Sequence, residues 1–377
     1  MRIAVDATSL LGARTGIGTC TAEILRRLPR PDLDVVAFAV SARGARHLGD
    51  ELPPGVRTVS RPMAARPLRA LWRHIDHPVV ERWTGPIDVV HGPNFVVPPS
   101  RSGAELVTVH DLTCVRFPEL CTADTLQIPA LLTRAIGRGA WVHTVSQAVA
   151  DEVLDTFAVP EDRVVVIPNG TGPMLESDAL GPLAARGRTL AGGDRYLLAL
   201  GTIEPRKDIP SLIGAFDLLA AADPDLRLVL AGPDGWGAGA VTETIGRSPH
   251  RSRILRTGWL EGTDRDALLA GAAVFVYPSV YEGFGLPPLE AIAHGTPVVA
   301  TRVGALPEVL EDAAEWAQPG DPVSLASAIT SLLADTRRAA ALLEAGRRRV
   351  EHHDWNRSVD ALVELYGRLH AQSAGRR

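Results

Sequence analysis

The sequence predicts an α/β protein made of two doubly wound domains in tandem. Three observations carry that prediction. Short apolar runs alternate with helical patterns from residue 2 to residue 169. A second alternating set starts at residue 196 and runs past residue 330. Between them lies a stretch rich in Gly, Pro, Ser and Ala with no strand pattern. A chain of 377 residues is also long for one domain.

In the first set, strands are expected at 2–8, 34–40, 88–92, 106–111, 141–146 and 164–169, and helices at 19–27, 125–138 and 147–157. Short runs apolar on both faces suit a parallel sheet covered by helices on each side. A linker is expected at 173–194. The second set gives strands at 196–202, 226–231, 253–258, 273–277 and 297–301, with helices at 209–221, 264–270 and 322–334. Near the C-terminus, Trp355, Val359, Leu362, Leu365 and Tyr366 recur at helical spacing. This helix follows a completed second domain, so it is expected to cross back to the first. The expected division is therefore 1–172, 173–194, 195–353 and 354–377. Such sheets bind ligands at the carboxyl ends of their strands, which places a site in the cleft between the domains.

Composition narrows the function classes. An apolar fraction of 46% allows an ordinary core, and a net charge of −5 makes no electrostatic case for nucleic acid. Cys20, Cys114 and Cys121 lack metal or redox spacing and fit a reducing compartment. No apolar run is long enough to span a bilayer, and Met1-Arg2 leads straight into a strand pattern. A cytoplasmic protein is expected. Arginine supplies almost all the cations; Lys207 is the only lysine.

The richest segment is 277–301, YPSVYEGFGLPPLEAIAHGTPVVAT. It reads as the end of a strand, a glycine loop, a helix and a second strand, with Glu282 and Glu290 at the two ends of the loop. Backbone N–H groups and a helix N-terminus pointing at an anion make a phosphate cradle of this kind. Arg206 and Lys207 follow another strand and supply fixed cations. Gly16 and Gly18 follow the first strand, where glycine permits close approach, but no GxGxxG completes a dinucleotide fingerprint.

Six motifs in order carry a resemblance: TGIG at 15–18, HDL at 110–112, TVS at 144–146, IPNG at 167–170, LGTIEPRKD at 200–208 and EGFGLPPLE at 282–290. The chain resembles the GT-B fold retaining glycosyltransferases of family 4, most closely the mannosyltransferase-like subgroup, over nearly its whole length. The resemblance implies two Rossmann-like domains facing across a cleft. Glu290 would accept from the ribose hydroxyls, and Glu282 would face the donor sugar. Arg206 and Lys207 would hold the diphosphate, with backbone contacts from Phe284, Gly285 and Leu286. Gly16 and Gly18 would approach the β-phosphate. His110 would face the donor sugar. Gly258, Trp259 and Leu260 would border the nucleobase, with Trp259 either stacking there or buried in the core. Asp111 is either an acceptor-side base or an orienting group, and His91, Pro93 and Asn94 are expected on the acceptor side.

The implied reaction moves a hexosyl group from a nucleotide sugar, GDP-mannose first and a UDP-sugar next, to a hydroxyl acceptor. That acceptor would be a polysaccharide precursor, a glycolipid or a small metabolite. No cofactor and no metal are implied, since Arg206, Lys207 and helix N-termini can neutralise the leaving group. An epimerase or phosphorylase on the same fold, or a non-catalytic nucleotide-sugar sensor, are the alternatives. Residues 57–82 interleave Arg57, Arg61, Arg66, Arg69, Arg73 and Arg82 with Met63, Leu68, Leu71 and Trp72. Contact with a membrane is one reading of this stretch and an ordinary solvated face is the plainer one.

Overall fold

The computed structural model describes residues 1–12, 15–42, 44–59 and 61–374, so residues 375–377 of the predicted terminal segment lie outside the described residues. The chain divides into two compact units: Met1–Gly170 joined by the C-terminal segment from Trp355, and Thr171–Asp354.

Among the described residues the first unit holds a seven-stranded sheet: β1 (Arg2–Asp6), β2 (Asp34–Phe38), β3 (Arg57–Val59), β4 (Val89–Gly92), β5 (Ala104–Val109), β6 (Trp141–Thr144) and β7 (Val164–Val166). Its order is β3-β2-β1-β4-β5-β6-β7, with every pairing parallel. Side chains alternate between the faces as a period of two requires. Ala4 and Val90 join one core cluster, whereas Ile3, Val5 and Val89 join the other. The terminal helix Trp355–Ala374 adds Val359, Leu362, Leu365, Tyr366 and Leu369 to that second cluster. The strand β3 escaped the sequence reading because it is three residues long and mostly exposed.

A buried polar chain crosses this sheet. Tyr366 Oη lies 2.7 Å from His91 Nδ1, and His91 Nε2 lies 2.7 Å from Thr108 Oγ1. Thr108 Oγ1 is 2.9 Å from His143 Nδ1, and His143 Nε2 is 2.9 Å from the carbonyl of Ile167. A carbonyl only accepts, so His143 donates from Nε2 and accepts from Thr108. Each step then fixes the next, and both histidines are neutral. Burial pushes the His91 pKa well below its ordinary value and lowers that of His143 to about 4. His91, expected on the acceptor side, is instead wholly buried as a link in this chain.

The second unit holds six strands among the described residues: β8 (Tyr196–Leu200), β9 (Arg227–Ala231), β10 (Ile254–Gly258), β11 (Val274–Tyr277), β12 (Val298–Thr301) and β13 (Ala314–Ala317). The order is β10-β9-β8-β11-β12-β13, again parallel. Most of the stretch expected as a linker is a helix, Ser177–Ala191, within this unit. Gly181, Pro182 and Gly187 hide it from propensity rules. Gly187 is there for packing: a methyl group at this position would overlap the carbonyl of Ala267 in the helix Gly262–Gly271. Gly187→Ala is expected to cost about 1–3 kcal/mol, read as a lower midpoint in chemical denaturation; an unchanged midpoint would mean the two helices part freely.

Candidate functional site

The winding of the second sheet reverses between β8 and β11, and the crevice outside the carboxyl ends of such strands is where ligands bind. The turn Pro205–Lys207 follows β8, and Glu282 follows β11. Strand adjacency thus brings together side chains 75 residues apart in sequence. Lys207 Nζ donates to Glu282 Oε1 at 2.7 Å and to Tyr277 Oη at 2.6 Å, and sits 4.4 Å from the centre of the Tyr277 ring. Arg206 Nη1 is 2.7 Å from Glu282 Oε2, and Arg206 Nη2 donates to Glu204 Oε1 at 2.6 Å. Ser279 Oγ donates to Glu282 Oε1 at 2.7 Å.

Electrostatics in this cluster follow from burial and pairing. Burial opposes ionisation of Glu282, but Arg206 and Lys207, with hydrogen bonds from Lys207 and Ser279, outweigh it and draw the carboxyl down to about 2. Burial lowers the Lys207 pKa, with Arg206 adding to the fall and Glu282 opposing it. The sequence reading set Glu282 apart, toward the sugar. In the structure both of its oxygens hold the two cations in place.

The glycine loop is shaped by backbone need. Gly285 has φ 102° and caps the helix Leu286–Ala293. Gly304 has φ 51° and lies against the backbone of Glu282, where a β-carbon would overlap the Glu282 carbonyl. Pro287 and Pro288 carry no N–H, so the donors of the first turn reduce to Leu286, preceded by Gly285 and Phe284. The Phe284 ring is buried edge-on against His353, centroids 5.3 Å apart, which leaves its backbone as the part able to face a ligand. Glu290 is half-buried and paired with Arg265. Arg265 was not foreseen; no motif marks it, and it reaches Glu290 only through the neighbouring helix Gly262–Gly271.

Gly258 ends β10 with φ 69°, followed by Trp259 and half-buried Leu260. Trp259 is 46% exposed, so its reading as a core residue falls.

In the first unit, His110 follows β5 and its Nε2 donates to the carbonyl of Pro93 at 2.7 Å, with the ring edge-on to Phe95. Burial lowers its pKa, and the imidazole is neutral with Nδ1 as an acceptor. Asp111 Oδ1 accepts from the Thr113 N–H at 2.9 Å. Asn94 is half-buried beside Pro93. Gly16 and Gly18 lie in the first turn of the helix Gly16–Arg27, not in a loop before it; Gly16 is exposed and Gly18 buried.

Known proteins share this architecture. Residues 14–173 match the family described as Glycosyltransferase Family 4, and residues 194–335 match Glycosyl transferases group 1. The O-antigen chain mannosyltransferase B of Escherichia coli is 31% identical over 74% of this chain and 74% of its own length. The MMP alpha-(1->4)-mannosyltransferase of Mycolicibacterium hassiacum is 34% identical over 68% of this chain and 58% of its own. Anabaena HepE, solved with UDP and glucose, superposes with a TM-score of 0.72 at 18% identity, covering 97% of this chain and 99% of that one. Two parallel Rossmann-like sheets with these neighbours define the GT-B class of glycosyltransferase. The chain belongs to glycosyltransferase family 4, is similar to the mannosyltransferases within it, and is a hexosyltransferase.

Proposed function

We propose that the protein transfers a hexosyl group, with retained anomeric configuration, from a nucleotide diphosphate sugar to a hydroxyl acceptor. GDP-mannose is the first donor and a UDP-sugar the next. The observation that carries this reading is the pairing of half-buried Arg206 and Lys207 with buried Glu282 at the switch point of the second sheet. Lys207 uses two of its three ammonium hydrogens on Tyr277 and Glu282, which leaves one for a phosphate oxygen. The guanidinium of Arg206 lies beside it. A diphosphate gains negative charge as the glycosidic bond breaks, so cations already fixed by Glu282 stabilise the transition state more than the ground state.

Glu290 binds the ribose, with Arg265 holding its carboxylate in place. His110, as a neutral acceptor at Nδ1, takes a hydrogen bond from a hydroxyl of the donor sugar. Gly16, Gly18, Phe284, Gly285 and Leu286 contribute backbone contacts to the diphosphate and sugar, and Gly258, Trp259 and Leu260 border the base. In the same-face substitution, the bond from the anomeric carbon to the phosphate oxygen breaks as the acceptor oxygen bonds to that carbon. The departing phosphate oxygen takes the acceptor's proton. The two cations do the neutralising work of a metal, so turnover is expected to persist in excess chelator. The acceptor is a polysaccharide precursor, a glycolipid or a small metabolite. Cys20, Cys114 and Cys121 form no disulfide among the described residues, in keeping with a reducing, cytoplasmic setting.

A thermal-shift series with GDP-mannose, UDP-glucose and UDP-N-acetylglucosamine tests the donor. A ligand at a hundred times its Kd adds about 2.7 kcal/mol to the folded state. GDP-mannose is expected to raise the melting temperature most. No shift with any nucleotide sugar would overturn the reading; a shift without transfer to any acceptor would make the protein a sensor.

A further inference from the structure

Tyr277 ends β11 and has no place among the groups expected from sequence to touch donor or acceptor. Its side chain is only 2% exposed, and the ring stacks on that of Phe275, two residues back on the same face, with centroids 6.1 Å apart. The strand that carries both is paired with β8 on one side and β12 on the other. The phenol oxygen is therefore a fixed point beside the cationic turn, and Lys207 Nζ meets it at 2.6 Å. Burial, with the charge of Glu282 nearby, holds the Tyr277 pKa well above its ordinary value. The hydroxyl thus stays neutral and accepts from the ammonium.

A lysine ammonium sits on a flexible four-carbon stem and is a mobile charge until its hydrogens are committed. Three hydrogens leave Nζ at tetrahedral angles, so fixing two of them fixes the direction of the third. Glu282 by itself would leave the ammonium free to turn about its Cε–Nζ bond. Tyr277 removes that freedom and adds no negative charge. Glu282 already serves both cations, and Glu204 pairs with Arg206. A further carboxylate in place of the phenol would hold Lys207 as firmly and cancel the field that a departing diphosphate needs.

We propose that Tyr277 is a positioning residue for the transfer, aiming the third ammonium hydrogen of Lys207 at the leaving phosphate oxygen. This rests on the diphosphate role proposed for Lys207. A donor aimed in advance at developing charge acts on the transition state more than on ground-state binding, so the effect falls on turnover.

Tyr277→Phe tests it, because the ring and its packing stay and only the oxygen goes. Lys207 is the only lysine, so competitive labelling with acetic anhydride, read by mass spectrometry against the N-terminal amine, follows its titration with no substrate present. Burial already lowers the Lys207 pKa, with Glu282 opposing and Arg206 and Glu204 also acting on it. Loss of an acceptor for the charged form lowers it further. Half-maximal labelling is therefore expected at a lower pH in Tyr277→Phe than in the parent, and the alkaline limb of the pH–kcat profile should move the same way. Release of nucleoside diphosphate from GDP-mannose or UDP-glucose is expected to slow about fivefold, with the Kd for GDP or UDP within about twofold of the parent's. A thermal melt close to the parent's confirms that the ring still packs. Parent-like labelling and turnover in the variant would overturn the proposal alone. Equal losses of turnover and nucleotide affinity would also overturn it, as the mark of a merely structural residue. No binding of GDP or UDP by the parent would overturn the diphosphate reading and the proposal together.

Discussion

Lys207→Ala is expected to lower turnover at least tenfold, about 1.4 kcal/mol or more in the barrier, while the protein remains folded. The structure explains why this substitution isolates chemistry from stability. Glu282 keeps Arg206 at 2.7 Å and the Ser279 hydroxyl at 2.7 Å, so its buried carboxylate is not left unpaired. What disappears is the ammonium nearest the proposed diphosphate. Glu282→Ala is a poorer probe, because it strips the shared partner from two half-buried cations and so mixes stability with function. Steady-state rates with the best donor, paired with a thermal melt of each variant, make the measurement. Near-normal turnover in folded Lys207→Ala would remove this side chain from the mechanism.

Acid should begin to destabilise the first unit above the range in which carboxylates titrate. His143 has its pKa lowered to about 4, against 6.5 for a free histidine. A group depressed in the folded state contributes stability that is full above its unfolded pKa and is lost as pH falls toward the folded one. The window is therefore pH 6.5 down to 4, and the loss from this residue is about 2 kcal/mol by pH 5. The hydrogen-bond chain gives the cause. A proton on His143 Nδ1 would face the Thr108 hydroxyl, which is already donating to it, and the reversal would run on to His91 and Tyr366. His143→Gln can still donate to the Ile167 carbonyl and accept from Thr108 without titrating. Urea midpoints measured from pH 7.5 to 4.5 should fall steeply in the parent and less in this variant. Parallel curves would show that the chain plays no part in acid unfolding.

The sheet organisation was legible because parallel strands buried on both faces leave unbroken apolar runs, and the runs at Arg2–Asp6 and Tyr196–Leu200 stand out plainly. The helix Ser177–Ala191 was not legible. Its glycines and proline read as a linker, and only the helix against it shows why Gly187 is there. His91 failed for a related reason. A histidine near a strand end looks available, and the residues that bury it come from β5 and from a helix 275 positions later. Trp259 turned the other way: sequence left it between core and surface, and exposure settled it.

Local chemistry was written in the chain itself. The order of its motifs, the single lysine and the two glutamates around a glycine loop named Arg206, Lys207, Glu282 and Glu290 without any coordinates. What only the tertiary structure decided is who partners whom. Lys207 and Glu282 meet because β8 and β11 are neighbours, and Glu290 meets Arg265 because two helices lie side by side. Periodicity and turn chemistry act over a few residues and can be read along the chain. Pairing between distant side chains depends on strand order and helix packing, which the whole fold must settle first.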